Sequence, residues 1–480
     1  MISKMALPNW KNTQVFNRLI FSRCRLKFEL KKNISLLVFN LYQVLWYLFL
    51  PIALLYFFYR SIKEPGYASE LSERLSFYQK DIKGACWCHA VSLGEVRAAR
   101  PIFDKLLLNG EKLLVTTLTL SGKNAVRLEY QAEIKLGKVA VVYAPLEITF
   151  FFKRFLARFK PRCCIILECD LWPVMIASTQ REKIPLIFAQ AQYPEKGFIR
   201  DKKFPFLKAS LIEKFDLILA KSERHKSRFE YFGAKKVLVI GDTRFEQNVP
   251  VDQISMASKI KKKLLKKCFT VCFASIGKKE FEIIKEIVLA LSEKFQDIFF
   301  IIVPRHPNDF GKYKTLFDKG LIKVKTRSEL MEQKVDFKKM SFDTFEGLLN
   351  FSLLWGDSLG ELNFYMAMSD IVFMGDSLNN EGSHNIIEPL AIKKPVIVGP
   401  SIWGIEFPAL EALDAGIIKK ISGQKELAAA LVEVYHDKKE KNISKTSITK
   451  MENFYINNHG ASEKFMKEMT NNKFLGFNHD

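Results

Sequence analysis

The amino-acid sequence predicts an α/β protein made of two doubly wound, parallel-sheet domains in tandem, and three observations predict it. Short apolar runs of strand length alternate with segments of helix length, which is the pattern of successive βαβ units. Several runs, such as Cys163–Leu167 and Ile298–Val303, are apolar at nearly every position, as strands buried on both faces are. The rhythm pauses at the polar stretch Val249–Lys263 and then starts again. Two similar halves therefore follow one another, each of a size that holds its own core.

In chain order, the first half offers strands at Ala85–His89, Leu113–Thr117, Val139–Tyr143, Cys163–Leu167, Pro185–Ala189, Leu217–Ala220 and Val237–Ile240. Between the first two lies a helix, Val96–Leu107, whose apolar residues Val96, Ala99, Ile102, Phe103, Leu106 and Leu107 recur at helical spacing. The second half offers Phe269–Ala274, Ile298–Val303, Leu353–Trp355, Ile371–Met374 and Pro395–Val398. A short helix is expected from about Asn385. Val249–Lys263 reads as a linker, and residues 441–480 as a polar, helical tail. Two Rossmann-like domains follow, 61–250 and 264–440, with ligands expected where the carboxyl ends of the strands open.

Before the first domain, residues 1–33 form a basic extension with eight Lys and Arg and one acid, Glu29. No charge then falls between Asn33 and Tyr59. As a helix, 34–59 would be about 39 Å long at ~1.5 Å per residue, enough for a bilayer core. The run exceeds the apolar part of a signal peptide and no small-residue cleavage site follows it. Residues 34–60 are therefore read as a membrane anchor. A simple span starting from a basic cytoplasmic end would place the rest of the chain outside. A re-entrant or in-plane anchor kinked at Pro51 would keep both sides cytoplasmic.

With 74 Lys and Arg against 52 Asp and Glu, the net charge is +22 over 480 residues. Such an excess selects for anionic partners. The basic residues are spread along the chain, and no sheet face alternates basic and aromatic residues, which argues for an anionic membrane surface and anionic substrate and against nucleic acid. Four of the eight Cys (163, 164, 268 and 272) sit in apolar, strand-like runs, and the usage suits a reducing compartment. Cys86-Trp87-Cys88-His89 has metal-capable residue types, but no second pair stands at zinc-finger spacing, so no metal or cofactor is expected.

Polar groups gather just past the strands. Glu95, in Ser92-Leu93-Gly94-Glu95, has the spacing of a capping box but also the placement of a general base. Glu168 follows a buried strand directly, with Asp170 two residues on; its plainer reading is an ion pair with a neighbouring Lys or Arg. Arg244 follows Val237–Ile240. Arg305, in Val303-Pro304-Arg305-His306-Pro307, offers a fork suited to phosphate. Asp357-Ser358-Leu359-Gly360-Glu361 is another strand-to-helix turn. In Gly375 to Leu390, Asn385-x-x-Glu388 is either a capping box or an anion-binding turn whose carboxylate meets ribose hydroxyls. No Gly-x-Gly-x-x-Gly, Walker lysine loop or Asp-x-Asp is present.

Taken in order from about Gly66 to Ala461, these stretches resemble the Kdo (3-deoxy-D-manno-octulosonic acid) transferases. The motifs that carry the likeness are His89-Ala90-Val91-Ser92-Leu93-Gly94-Glu95, Leu167-Glu168-Cys169-Asp170-Leu171-Trp172-Pro173, Gly241-Asp242-Thr243-Arg244-Phe245, Val303-Pro304-Arg305-His306-Pro307, Gly356-Asp357-Ser358-Leu359-Gly360-Glu361-Leu362 and His384-Asn385-Ile386-Ile387-Glu388-Pro389. The resemblance implies a GT-B glycosyltransferase of lipopolysaccharide synthesis at the cell inner membrane, its catalytic domains on the cytoplasmic side. It implies an inverting transfer of Kdo from CMP-Kdo to a lipid A precursor (lipid IVA), without a metal. It further implies Glu95 as base, Glu168 and Arg244 as transition-state stabilisers, and CMP contacts from Pro304, Arg305, Leu359, Gly360, Glu361, Asn385, Ile386, Ile387 and Glu388. The first domain would then serve the acceptor and the second the CMP-sugar, with Glu95 and the turn at 385–388 facing one cleft. Some positions depart from the family pattern. Arg244 stands where Lys is common, and Gln190-Ala191-Gln192-Tyr193-Pro194 replaces Asn-Ala-Arg-Leu-Ser. Ser275-Ile276-Gly277 replaces Ser-Thr-His, and Asp376 follows Gly375 where two glycines are usual. The alternatives are a GT-B enzyme using another nucleotide sugar on a membrane lipid, a catalytically silent relative, and a tethered nucleic-acid-binding protein.

Overall fold

The computed structural model of the protein describes residues 10–63, 71–168, 171–317, 322–332, 351–440 and 445–476, with side chains of the first stretch described from Asn33 onward. Cys169, Asp170, Gly66 and the side chains of the basic extension lie outside the described residues. The chain divides into two compact units. The first comprises residues 1–193, 197–241 and 462–480, and the second residues 194–196 and 242–461.

Each unit is built on a seven-stranded, wholly parallel sheet. The first contains β1 (Cys86–His89), β2 (Leu113–Thr117), β3 (Val139–Tyr143), β4 (Cys163–Leu167), β5 (Leu186–Ala191), β6 (Leu217–Ala220) and β7 (Val237–Val239). Their spatial order is β3-β2-β1-β4-β5-β6-β7. This is the Rossmann order, and the winding reverses between β1 and β4. The second sheet contains β8 (Phe269–Ile276), β9 (Ile298–Pro304), β10 (Val324–Thr326), β11 (Leu353–Trp355), β12 (Ile371–Met374), β13 (Val396–Val398) and β14 (Ile418–Lys420). The order is β10-β11-β9-β8-β12-β13-β14, reversing between β8 and β12.

Apolar side chains on both faces of each strand explain the continuous apolar runs. Trp87, Cys164 and Ile166 face one layer of helices while Cys86, Cys88, Cys163 and Ile165 face the other. In the second unit Cys272, Ala274 and Ile301 lie on one side, and Val271, Phe273 and Ile302 on the other. The buried thiols are core residues, and burial pushes those of Cys88 and Cys164 well up.

Three expectations need correction. Val249–Lys263 is not a linker: Val251–Lys263 is a helix in the second unit, where Ala257 and Ile260 enter the core with Ile254 packed against it. Its polar composition hides an apolar face at helical spacing. The tail is not one piece. Helix Lys445–Asn457 contributes Met451 to the second core, whereas helix Ala461–Asn471 contributes Phe465 and Met469 to the first. Strands β10 and β14 escaped notice because each has three residues at a sheet edge, too few to show a period.

A helix spans Trp10–Lys63, with Pro51 inside it. Its Asn33–Ile62 portion is long and apolar enough to cross a membrane, and none of its most apolar window is buried in the protein. Two polar side chains nevertheless dock it, Tyr42 by donating to Glu147 Oε2 at 3.4 Å and Gln43 more closely. Gln43 donates from Nε2 to the Glu147 carbonyl (3.0 Å) and accepts at Oε1 from the Thr149 N–H (2.9 Å) and hydroxyl (2.8 Å). Glu147 in turn accepts from the amides of Val174 and Met175 at the start of helix Pro173–Arg181. Burial pushes its carboxyl up to about 7 against the opposing effect of those two amides.

Candidate active site

In the first unit, helix Leu93–Leu108 begins directly after the β1 turn, so Glu95 lies within its first turn. The Ser92 N–H donates to Glu95 Oε2 at 2.7 Å. The capping interaction is therefore present, and it aims the half-buried carboxylate back over the carboxyl end of β1. A side chain at Gly94 would meet nothing closer than Ser92 Oγ at 3.8 Å, so the space beside the carboxylate is open.

Glu168 follows β4, the strand paired with β1 at the reversal of the sheet. Its φ is +66°, a left-handed conformation that is strained for a residue with a Cβ. The backbone is held by Glu168 N–H to the Ala189 carbonyl (3.1 Å) and Gln192 N–H to the Glu168 carbonyl (3.0 Å). The side chain is 6% exposed. Lys221 Nζ lies 3.4 Å from Oε1, and Gln192 Nε2 donates to Oε2 at 3.3 Å. The expected ion pair exists, and its partner was missed. Lys221 is 1% exposed and immediately follows β6, the same strand-end placement that marked the other site residues. Gln192, the position at which the family's basic residue is absent, touches the same carboxylate.

Arg244 belongs to the second unit, not to the domain 61–250 in which the sequence placed it, and so does not share a unit with Glu95 and Glu168. It sits in a 3₁₀ turn, Thr243–Glu246, where Asp242 accepts from its amide (2.9 Å) and from Nη1 (3.2 Å).

At the reversal of the second sheet a buried carboxylate organises the loop after β12. Glu280 accepts from the amides of Gly277 (3.1 Å) and Asp376 (2.7 Å) through Oε2, and from Ser377 (3.0 Å) and Leu378 (2.9 Å) through Oε1. Burial raises its pKa, and these amides only partly offset that. The glycine-containing loop thus spends these amides on the protein's own carboxylate. The next turn is committed as well. The helix is Ile387–Ala391, starting two residues later than expected, and Asn385 Oδ1 accepts from the Ile387 N–H (3.0 Å) while its Nδ2 approaches Glu388 Oε1 (3.4 Å). Ile386 and Ile387 are core side chains and have only backbone to offer a ligand.

Around this loop stand Arg305, His306, Asp376 and His384. Arg305 and His306 are exposed, and the Arg305 amide is fixed to the Ile276 carbonyl (3.0 Å) past the buried Pro304. His384 Nε2 lies 2.8 Å from Asp376 Oδ2. Burial pushes the Asp376 carboxyl up, but the His384 hydrogen bond and the nearby Arg305 and His306 charges outweigh it and hold it below the usual range. A Cβ on Gly277 would stand 1.8 Å from Asp376 Oδ1. Two departures from the family pattern thus meet in space: Asp376 fills the volume that a side chain at 277 needs. Gly277→Ala is expected to destabilise by about 1–3 kcal/mol through overpacking. Adding Asp376→Gly, at a position with φ of +52°, is expected to recover most of that loss in urea unfolding.

The turn after β11 is also partly committed. Glu361 forms a two-pronged ion pair with Arg327 (both 2.9 Å) and accepts from Ser358 Oγ, while the Gly360 carbonyl accepts from Gln253. Leu359 is 74% exposed. Arg327, just past β10, was missed because that strand was.

Residues 69–247 match a family model described as 3-deoxy-D-manno-octulosonic-acid transferase. A 3-deoxy-D-manno-octulosonic acid transferase of Haemophilus influenzae is 29% identical over 359 residues, covering 73% of this chain and 79% of its own. One from Aquifex aeolicus is 29% identical over 372 residues, covering 77% and 91%. The chain is similar to Kdo transferases over most of its length. It is a glycosyltransferase. Among solved structures, Anabaena Alr3699/HepE in complex with UDP matches with TM-score 0.52 at 14% identity, covering 81% of this chain and all of that one. A glycosyltransferase from Rickettsia africae matches with TM-score 0.50 at 15% identity, covering 81% and 98%. These likenesses show the fold: two Rossmann-like domains of the GT-B class.

Proposed function

We propose that this glycosyltransferase moves Kdo from CMP-Kdo to a hydroxyl of a lipid A precursor (lipid IVA) in assembly of the lipopolysaccharide inner core. The observation that carries the reading is the placement of Glu95 and Glu168 at the carboxyl ends of adjacent strands, where the winding of a family-matched sheet reverses. Glu95 takes the acceptor's proton as its oxygen attacks the anomeric carbon, and configuration inverts because attack and departure occur on opposite faces. CMP leaves with the bonding electron pair, so fixed cations and donors near its phosphate lower the barrier.

Glu168, held by Lys221, and Arg244 stabilise the transition state. In the second unit Arg305 is the exposed fork for the CMP phosphate, and Pro304 sets its backbone. The turn Leu359-Gly360-Glu361 and the segment Asn385-Ile386-Ile387-Glu388 complete the nucleotide contacts, with Glu388 offered to ribose hydroxyls. The apolar Asn33–Ile62 segment supports attachment to the inner membrane, and the catalytic units are assigned to its cytoplasmic side. The +22 charge suits a phosphorylated acceptor at an anionic surface.

Purified protein is expected to release CMP only when CMP-Kdo and lipid IVA are both supplied. Turnover with a UDP-sugar and none with CMP-Kdo would replace this reading with another nucleotide-sugar transfer.

A further inference from the structure

A cavity of about 290 Å³ lies between the N-terminal helix and the carboxyl edge of the first sheet. Trp46 and Phe57 of the helix form one side, and His89, Leu118, Ala144 and Trp172 form the other. Trp46 also borders an outer groove of about 520 Å³ along the same helix, with Tyr42, Phe49 and Tyr56. The two spaces thus share a wall that continues into the apolar Asn33–Ile62 surface.

Two polar atoms lining the cavity are buried without a hydrogen-bond partner among the described residues: His89 Nε2 and Trp172 Nε1. His89 is 1% exposed, and burial lowers its pKa to about 3, so the ring is neutral. The Trp87 indole N–H donates to Thr116 Oγ1 at 2.8 Å. The Thr116 hydroxyl lies 2.9 Å from His89 Nδ1, and when it donates its proton there the ring proton sits on Nε2. Trp172 Nε1 is a neutral N–H donor, as is His89 Nε2 in that tautomer, and leaving either unpaired is costly.

The walls are mainly apolar, with Arg74 and Glu147 also on the lining, and the two ring nitrogens suit a long apolar ligand that carries an oxygen acceptor. An apolar cavity of about 150 Å³ already binds benzene in preference to water. We infer that this cavity takes one fatty-acyl chain of the membrane-borne acceptor, its ester or amide carbonyl bonded by the His89 and Trp172 N–H groups. The inference rests on the transferase reading. It explains how a lipid is brought to the base, since Leu118 in the cavity wall donates its N–H to the Val91 carbonyl, in the turn that leads to Glu95.

Two measurements test it. Full-length protein in detergent is titrated with lipid IVA bearing brominated acyl chains, and tryptophan fluorescence is read in Trp46→Phe, so that the helix tryptophan is silent. Quenching that persists there and is lost in Trp46→Phe/Trp172→Phe is expected. Equal quenching in the two variants overturns the site. In kinetics, Leu118→Trp narrows the cavity and is expected to raise the ratio of KM for acylated to deacylated acceptor by about tenfold, which corresponds to loss of one or two buried methylenes. Trp172→Phe, which keeps the ring and removes the donor, is expected to raise the ratio by about fivefold. An unchanged ratio in both variants also overturns the site. Quenching needs no turnover, so brominated-lipid binding without CMP release would sink the transferase reading and leave the acyl site standing.

Discussion

Glu95→Gln is expected to lower kcat by about a hundred- to ten-thousandfold, the usual contribution of a positioned general base, while the protein stays folded. The substitution separates the proposed base from the observed cap. A glutamine side-chain oxygen still accepts from the Ser92 N–H, so the first turn of helix Leu93–Leu108 remains capped. Only the charge is lost, and its interaction with the helix dipole is worth about 0.3–1 kcal/mol. Glu95→Ala removes the cap as well, costing about 1 kcal/mol more. Steady-state rates with saturating CMP-Kdo and lipid IVA, read beside thermal unfolding, check this. A glutamine variant as fast as the parent would leave Glu95 as a cap and nothing more.

Lys221→Met carries the largest stability effect. Breaking a buried ion pair from one side removes the cation beside Glu168 Oε1, with a typical loss of about 3–5 kcal/mol. Glu168 keeps its contact with Gln192, but that neutral amide does not balance its charge. The double variant Lys221→Met/Glu168→Gln removes the carboxylate's charge as well and is expected to regain most of the stability without regaining activity. Gln192→Arg in the Lys221→Met background is expected to regain both in part, because it returns a cation to the other carboxylate oxygen. Urea unfolding and CMP release measure the two effects. If the single variant unfolds like the parent, Lys221 is a bystander.

Much of the architecture was legible in the chain. Runs such as Cys163–Leu167 are apolar because helices cover both faces, and that requirement is written into consecutive residues. The helix after β1 was legible from Val96, but its true start at Leu93 was not, because Gly94 and Glu95 carry no apolar signal. Residues 251–263 looked like a linker because Lys and Ser outnumber the four residues that face the core. Strand ends also pointed to Glu95, Glu168 and Arg305, since polar groups beyond a buried strand are where a parallel sheet opens to ligand.

The partners of those groups were not legible. Glu280, in Lys278-Lys279-Glu280-Phe281, reads as a solvated charge, yet it gathers amides from residues about a hundred positions away. Arg327 pairs with Glu361 only because β10 and β11 lie side by side. Nothing near Gly277 announces Asp376, and nothing near Glu168 announces Lys221. By itself the sequence determined two parallel-sheet units, an apolar N-terminal segment and the strand ends where polar groups collect. These are properties of burial and spacing, which act over a few neighbouring residues. Only the tertiary structure decided which charges are neutralised, which amides are already spent and which buried donors remain unpaired. Those outcomes depend on groups distant in the chain meeting where water is excluded, and there a single unmatched charge or hydrogen bond outweighs any local preference.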